Sequence, residues 1–319
     1  MFTKKWDNSQ GDRRLVISGL GCCSLSDTLE CGQAFRYEQV RREEGYVEYL
    51  IPVKDALLRV AQERAGELIF IGIDEDTFER VARPFFSMDT DFEAIRAEVV
   101  SRTDSEWLKQ AAEEARGVVI LSQEPWEALF SFIISQNNNI PRIRKIIRAI
   151  SGEYGENLAV RGGYEACPLA LTGECPSDGV CRSCGICYSF PTASAVLERP
   201  EGLLPSHPGF RYKYLLDAAT RVAEGECDLE AIRRAESYEV SLTELKKILG
   251  VGDKVASCVA LFGMGNLEAF PVDVWMKRAI DTYFDGRLDH RALGKYAGVA
   301  QQYIFHYIRN LENNGQNDN

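Results

Sequence analysis

No stretch of this 319-residue sequence is apolar for long enough to cross a bilayer. A spanning helix needs about 20 apolar residues, and the most apolar stretches, such as Val255 to Met264, stop well short of that. Met1 to Gln10 lacks an apolar run as well, so neither a secretory signal nor a membrane partner is expected, and the cytoplasm of a bacterial cell is the expected compartment. Positive charge is in deficit: 37 Lys and Arg stand against 48 Asp and Glu, a net charge of -11. That excludes a protein that coats nucleic acid or anionic membrane by bulk charge, but it leaves room for a basic face on an acidic body. Internal repeats are absent. So is a phosphate-binding P-loop, because Asp253 separates Gly252 from Lys254 and Val255 stands where a hydroxyl residue is required.

The composition that remains, 45% hydrophobic and 10% aromatic, suits a folded chain of one large or two ordinary domains. From about Leu15 to Phe70 the pattern is β-rich, with short apolar runs "EYLIPV" and "LIFIGI" and a polar break at "RREEG". From Asp74 onward it turns helical. "DEDTFERVARPFF" opens on acidic capping residues, "PWEALFSFIISQ" places Pro125 at the start of a buried helix, and "IPRIRKIIRAISGEYG" is amphipathic. "FPTASAVLE", "YKYLLDAATRVAEG", "SLTELKKIL" and "DKVASCVALFG" continue the helical series. The expected class is α+β, with an N-terminal antiparallel β domain over 1–112 and a helical domain over 113–319. A loop-like Cys-rich insert interrupts the second domain at about 152–187. Three basic runs stand out: Arg142 with Arg144, Lys145 and Arg148; Arg211 with Lys213; and Lys246 with Lys247 and Lys254. Taken singly, each reads as a solvated helix face.

"LGVGDKVAS", at Leu249 to Ser257, is the most informative stretch. A dinucleotide fingerprint would need a strand before its glycines, and "LTELKKIL" is an amphipathic helix instead. What remains is helix, tight turn, helix. Gly250 and Gly252 are expected to permit backbone conformations closed to other residues. The second helix would then offer its unpaired N–H groups to a phosphate. A hairpin that merely packs is the plain alternative. Lys254 tips the balance toward function. It falls in the first helical turn, where the dipole disfavours positive charge and a lowered lysine pKa would suit a nucleophilic amine. Asp273 follows 19 residues later in "FPVDVWMKR". Alone it could be a helix cap. With Lys254 beside a phosphate-binding turn, it suits cleavage of a sugar–base bond, where a carboxylate stabilises positive charge at the sugar.

"LGVGDKVASCVALFG" followed by "FPVDVWMKR" resembles the helix–hairpin–helix, Gly/Pro-rich loop and aspartate signature of the DNA glycosylase superfamily. "FSFIISQNNNIPRI" and "CGQAFRY" are similar to its 8-oxoguanine DNA glycosylase branch. The likeness runs from about Gly32 to Phe305. It implies an N-terminal β domain like that of the TATA-binding protein, then an all-α catalytic domain. It also implies excision of 8-oxoguanine from duplex DNA with strand cleavage. Lys254 would attack the sugar and form a Schiff base, and Asp273 would stabilise the developing charge. The damaged base must leave the duplex to be reached. Gly32 matches the glycine whose carbonyl accepts the N7 hydrogen that ordinary guanine lacks. Gln301 would read the Watson–Crick edge, Phe305 would stack on the base, and Cys258 would pack on its other side. On residues alone, Phe305 and Cys258 are ordinary core. Asn137 would fill the gap left by the flipped base, Arg142 and Arg211 would hold the estranged cytosine, and Phe210 would be the wedge. Gly250, Gly252 and Trp275 would meet DNA. Relatives tend to carry histidine where Trp275 stands, so a phosphate contact there passes to the indole or is lost.

The resemblance implies no cofactor for catalysis, and a monomer acting on double-stranded DNA with 8-oxoguanine opposite cytosine. No cysteine follows Cys258, so the C-terminal iron–sulfur cluster of endonuclease III-like enzymes is not expected. The insert is different. Cys181, Cys184 and Cys187 are spaced C-x2-C-x2-C, with Cys175 and Cys167 upstream. The spacing suggests a structural metal held by these three with Cys175, zinc first, an iron–sulfur cluster or reduced thiols as alternatives. Two other readings stay open: a non-catalytic helix–hairpin–helix DNA-binding module, and a glycosylase for another damaged base.

Overall fold

A computed structural model describes residues 2–7, 13–161, 185–235 and 237–317. Six strands form one antiparallel sheet: β1 (Thr3–Asp7), β2 (Arg14–Ser18), β3 (Glu38–Glu43), β4 (Tyr46–Val53), β5 (Ala56–Gln62) and β6 (Glu67–Ile71). Their order is β1-β2-β6-β5-β4-β3. Alternation sets the faces, since successive side chains on a strand point to opposite sides. Leu15 and Ile17 of β2, Leu68 and Phe70 of β6, Leu58 and Val60 of β5 and Tyr49 and Ile51 of β4 face one core. Helix α1 (Leu25–Glu30) and the segment Phe78–Phe86 cover it. The stretch "RREEG", expected as a break, is largely strand: β3 runs through Arg41, Arg42 and Glu43. As an edge strand it exposes these polar side chains, which hides it from an apolar pattern. "DEDTFERVARPFF" is helical in three short pieces, with a widened π-type turn over Phe78–Ala82 ahead of Pro84.

The second core is helical. Helices α2 (Phe92–Ser101) and α3 (Glu106–Glu114) contribute Ile95, Val99, Leu108 and Ala112 to it. Helix α4 (Pro125–Ile134) runs through its middle, buried at every position from Ala128 to Ile134. It packs on α8 (Asp253–Met264), reached through α5 (Ile140–Tyr154), α6 (Tyr212–Ala223) and α7 (Tyr238–Leu245). The α4–α8 approach is close: a Cβ on Gly263 would lie 2.9 Å from Ala128 and 3.2 Å from the Pro125 backbone. Phe132 and Phe262 stack across it at 5.5 Å. Helices α9 (Val274–Tyr283) and α10 (Ala297–Asn317) complete the body. No helix among the described residues is long and apolar enough to cross a membrane.

Candidate active site

Local capping chemistry builds a cavity between the helical core and the turn after α1. After α4, the three asparagines divide the labour. Asn137 takes the left-handed conformation, φ 46°, which asparagine tolerates better than most residues. The Asn138 amide donates to the carbonyl of Ile134 at 3.1 Å, closing α4. The Asn139 side chain accepts from the Arg142 N–H at 3.0 Å, opening α5. On α5 the basic run splits. Arg144 and Arg148 turn inward to the Tyr37 carbonyl and the Glu38 carboxylate, tying the helix to β3. Arg142 and Lys145 stay exposed.

Opposite them stands the hairpin between α7 and α8. Gly250 has φ 79°, and a Cβ there would lie 2.5 Å from the Tyr214 ring. No side chain fits. Gly252 is different from what the sequence suggested: its φ of -98° is open to any residue, and a Cβ would meet nothing within 4 Å. As the N-cap of α8 it offers no capping side chain, so the helix N–H groups have no local side-chain acceptor. The Leu249 N–H donates to Asp217 of α6 at 2.7 Å, which fixes the turn. Of the hairpin lysines, Lys246 pairs with Asp253 and Lys247 with Glu244.

Lys254 lies one residue into α8, half-buried. Its Nζ donates to Ser135 Oγ at 3.0 Å and sits 5.3 Å from the centre of the Phe132 ring. Ser135 in turn donates to the Phe132 carbonyl at 2.7 Å, so the hydroxyl is oriented to accept from the amine. Asp273 is the N-cap of α9, accepting from the Met276 N–H at 2.9 Å. The capping role and the site position therefore coincide. Both side chains line a cavity of about 610 Å³, together with Gly32, Asn137, Gly252, Trp275 and Phe305. Gly32 sits in the turn after α1 with φ 85°. The next residue, Gln33, holds that turn: its side chain bonds the carbonyls of Thr28 and Val119 and the N–H of Leu121. Its carbonyl accepts from Gln123 at 2.6 Å.

Other predicted residues stand off the cavity wall. Cys258 is buried one turn below Lys254. Burial pushes its thiol up to about 11, with Lys254 pulling the other way, so the thiol stays protonated at neutral pH. Gln301 is buried, its side-chain carbonyl accepting from Gln302 at 2.8 Å. Arg211 is 2% exposed and bonds the carbonyls of Gln136, Asn137 and Pro208. Desolvation lowers its pKa, with Arg142 adding to the effect. Phe210 beside it is half exposed, under the Arg211 guanidinium at 4.4 Å. Ser135, Gln33 and Arg309, a further residue at the cavity, escaped the reading of the sequence. Ser135 and Gln33 sit inside quoted motifs, but only tertiary contacts reveal their work. Of the proposed metal ligands, Cys175, Cys181 and Cys184, and the nearby Cys167, lie outside the described residues. Cys187 is inside and buried, its carbonyl accepting from Leu158. Among the described residues no cluster of His, Cys, Asp and Glu could hold a metal ion.

Sheet, helical body and hairpin-mounted lysine together define a protein of the helix–hairpin–helix class. Residues 17–129 match the model of the 8-oxoguanine DNA glycosylase N-terminal domain. The whole chain is similar to a solved structure of the Clostridium acetobutylicum 8-oxoguanine glycosylase/lyase in complex with double-stranded DNA containing cytosine opposite 8-oxoguanine. The TM-score is 0.78, with 31% identity and 98% of each chain covered. The N-glycosylase/DNA lyase of Saccharomyces cerevisiae is 26% identical over 284 residues, 83% of this chain and 69% of that one. A likeness to the 3-methyladenine DNA glycosylase of Archaeoglobus fulgidus, TM-score 0.66 at 18% identity over 92% of this chain and 98% of that one, shows the fold alone. The chain belongs to the 8-oxoguanine DNA glycosylase/lyase family.

Proposed function

We propose that the protein excises 8-oxoguanine from duplex DNA, preferring cytosine opposite the lesion, and then cleaves the strand as an AP lyase. The observation that carries this reading is a single cavity lined by Lys254, Asp273, Gly32 and Phe305. The Lys254 amine attacks C1′ of the flipped nucleotide. The C1′–N9 bond breaks with its electron pair leaving on the base, which takes up a proton. The C1′–O4′ bond then opens with its pair on O4′, which is protonated as the lysine nitrogen gives up a proton, and a C1′=N Schiff base forms. Asp273 stabilises the positive charge that develops on the sugar. Gly32 offers its carbonyl to the N7 hydrogen of the lesion, Phe305 and Cys258 enclose the base, and Gln301 reads its Watson–Crick edge. Asn137, Arg142, Arg211 and Phe210 act on the opposite strand, with Gly250, Gly252 and Trp275 along the backbone. Catalysis on this route uses no metal or cofactor, and the protein works as a monomer on chromosomal DNA. The decisive test is incubation with a duplex holding 8-oxoguanine opposite cytosine in the presence of borohydride. A covalent adduct is expected with the native protein and none with K254Q; full trapping by K254Q would assign the nucleophile elsewhere. From spacing alone, a structural zinc at Cys175, Cys181, Cys184 and Cys187 is a separate proposal. Elemental analysis of anaerobically purified protein checks it, and far substoichiometric metal would end it.

A further inference from the structure

Arg309 is the charged residue at the cavity that the route above leaves without a task. Gln301, Phe305 and Arg309 follow one another at steps of four on α10, which puts them on one helix face. At 1.5 Å per residue, Gln301 and Arg309 are about 12 Å apart along the axis with Phe305 midway. Arg309 lies 5.4 Å from the centre of the Phe305 ring. Its hydrogen bonding is almost unused: Nη1 reaches the Glu30 carbonyl at a long 3.4 Å, and no carboxylate among the described residues pairs with it.

We propose that Arg309 is a specificity-determining residue that donates to the C8 oxygen of the flipped base. The inference rests on the reading in which Phe305 stacks on the purine and Gln301 meets its Watson–Crick edge. A purine so placed turns its imidazole edge toward the opposite end of the helix face, where Arg309 stands. Gly32 marks the same edge independently. A Cβ on Gly32 would lie 3.4 Å from Phe305 and 3.7 Å from Arg309 Nη1. If the Gly32 carbonyl takes the N7 hydrogen, the neighbouring C8 oxygen comes within reach of the guanidinium. Ordinary guanine carries a C–H at C8, which offers Arg309 no acceptor at that position, and a lone pair at N7, which faces the Gly32 carbonyl without a hydrogen between them. Two separate groups would then read the two atoms that oxidation changes. A guanidinium can spare donors for this, having five N–H groups.

The test uses the full chain and duplexes with 8-oxoguanine, guanine or a preformed abasic site opposite cytosine. R309L is expected to slow single-turnover excision of 8-oxoguanine by about tenfold or more, the size of a hydrogen bond to a charged group. Borohydride trapping at the abasic site, which has no base to read, is expected to hold. In the K254Q background, R309L is also expected to shrink the binding preference for 8-oxoguanine over guanine by a similar factor. Parallel losses in excision and abasic-site trapping would make Arg309 a phosphate contact or a structural residue, and overturn the inference. So would unchanged excision. Native protein inert toward 8-oxoguanine would instead overturn the proposed function, and this inference with it.

Discussion

Asp273 combines two tasks in one carboxylate, and a single substitution separates them. As N-cap it accepts from the Met276 N–H, a task asparagine performs about as well as aspartate. As a cavity residue it brings negative charge, which asparagine lacks. D273N is therefore expected to melt close to the native protein while excision falls about 100-fold or more, the scale on which a preorganised electrostatic group acts. Thermal unfolding and single-turnover kinetics on the same samples check both halves; a large loss of stability would make the cap the main role. Arg211 is expected to behave in the opposite way. Its guanidinium holds the carbonyls of Gln136 and Asn137. R211A leaves those acceptors unpaired beside a void, so it is expected to lower stability by about 2 kcal/mol or more. Unchanged unfolding in urea would show that these bonds contribute nothing to the free protein, leaving Arg211 to act only on bound DNA.

At the scale of elements, the parts readable from sequence are those whose cause is local. The hairpin was legible because a glycine turn, a helix start and a misplaced lysine are neighbours in the chain. Strands β4 and β6 were legible because their apolar runs are short and bounded. β1 was not, since Thr3, Lys4 and Lys5 are exposed and leave no apolar signal. Ser135 and Gln33 were missed for another reason: their partners, Lys254 and Val119, lie 119 and 86 residues away. Gly250 and Gly252 looked alike in the sequence, and only backbone angles and neighbours tell them apart. That difference is testable. G250A meets both a positive φ and the Tyr214 ring, so it is expected to cost more than about 1 kcal/mol and to weaken binding to duplex DNA. G252A has neither obstacle and is expected to fold normally. Equal unfolding midpoints for the two variants would refute this account of the turn.

Across the whole molecule, the two cores are joined by buried polar links as well as by shared apolar residues such as Phe92. Gln33 stitches α1 to the Val119–Leu121 segment. Arg36, nearly buried, pairs with Glu127 of α4 at 2.9 Å. Titration of other groups in the molecule contributes to its pH dependence. His290, stacked on Phe270 at 4.9 Å, and His306 are both shifted down by burial. His306 Nε2 faces the Asn310 amide nitrogen at 2.9 Å, a donor that only a neutral ring can receive. At these two histidines the unfolded chain therefore binds more protons than the native one below about pH 6.5, and their contribution to stability falls as the pH drops through that value. Thiols act at the other end. Burial raises Cys23 to about 12 and Cys31 and Cys258 to about 11. These stay protonated in the native state while the unfolded chain loses their protons above about pH 8.5, so stability falls again as pH rises. Urea midpoints in reducing buffer are expected to form a plateau between about pH 7 and 8.5, with a decline on each side. H306Q is expected to shallow the acid limb and C23A the alkaline one, each leaving the other limb in place. A midpoint that stays level from neutral pH to pH 10 would mean that the thiols ionise as readily in the native state as in the unfolded chain.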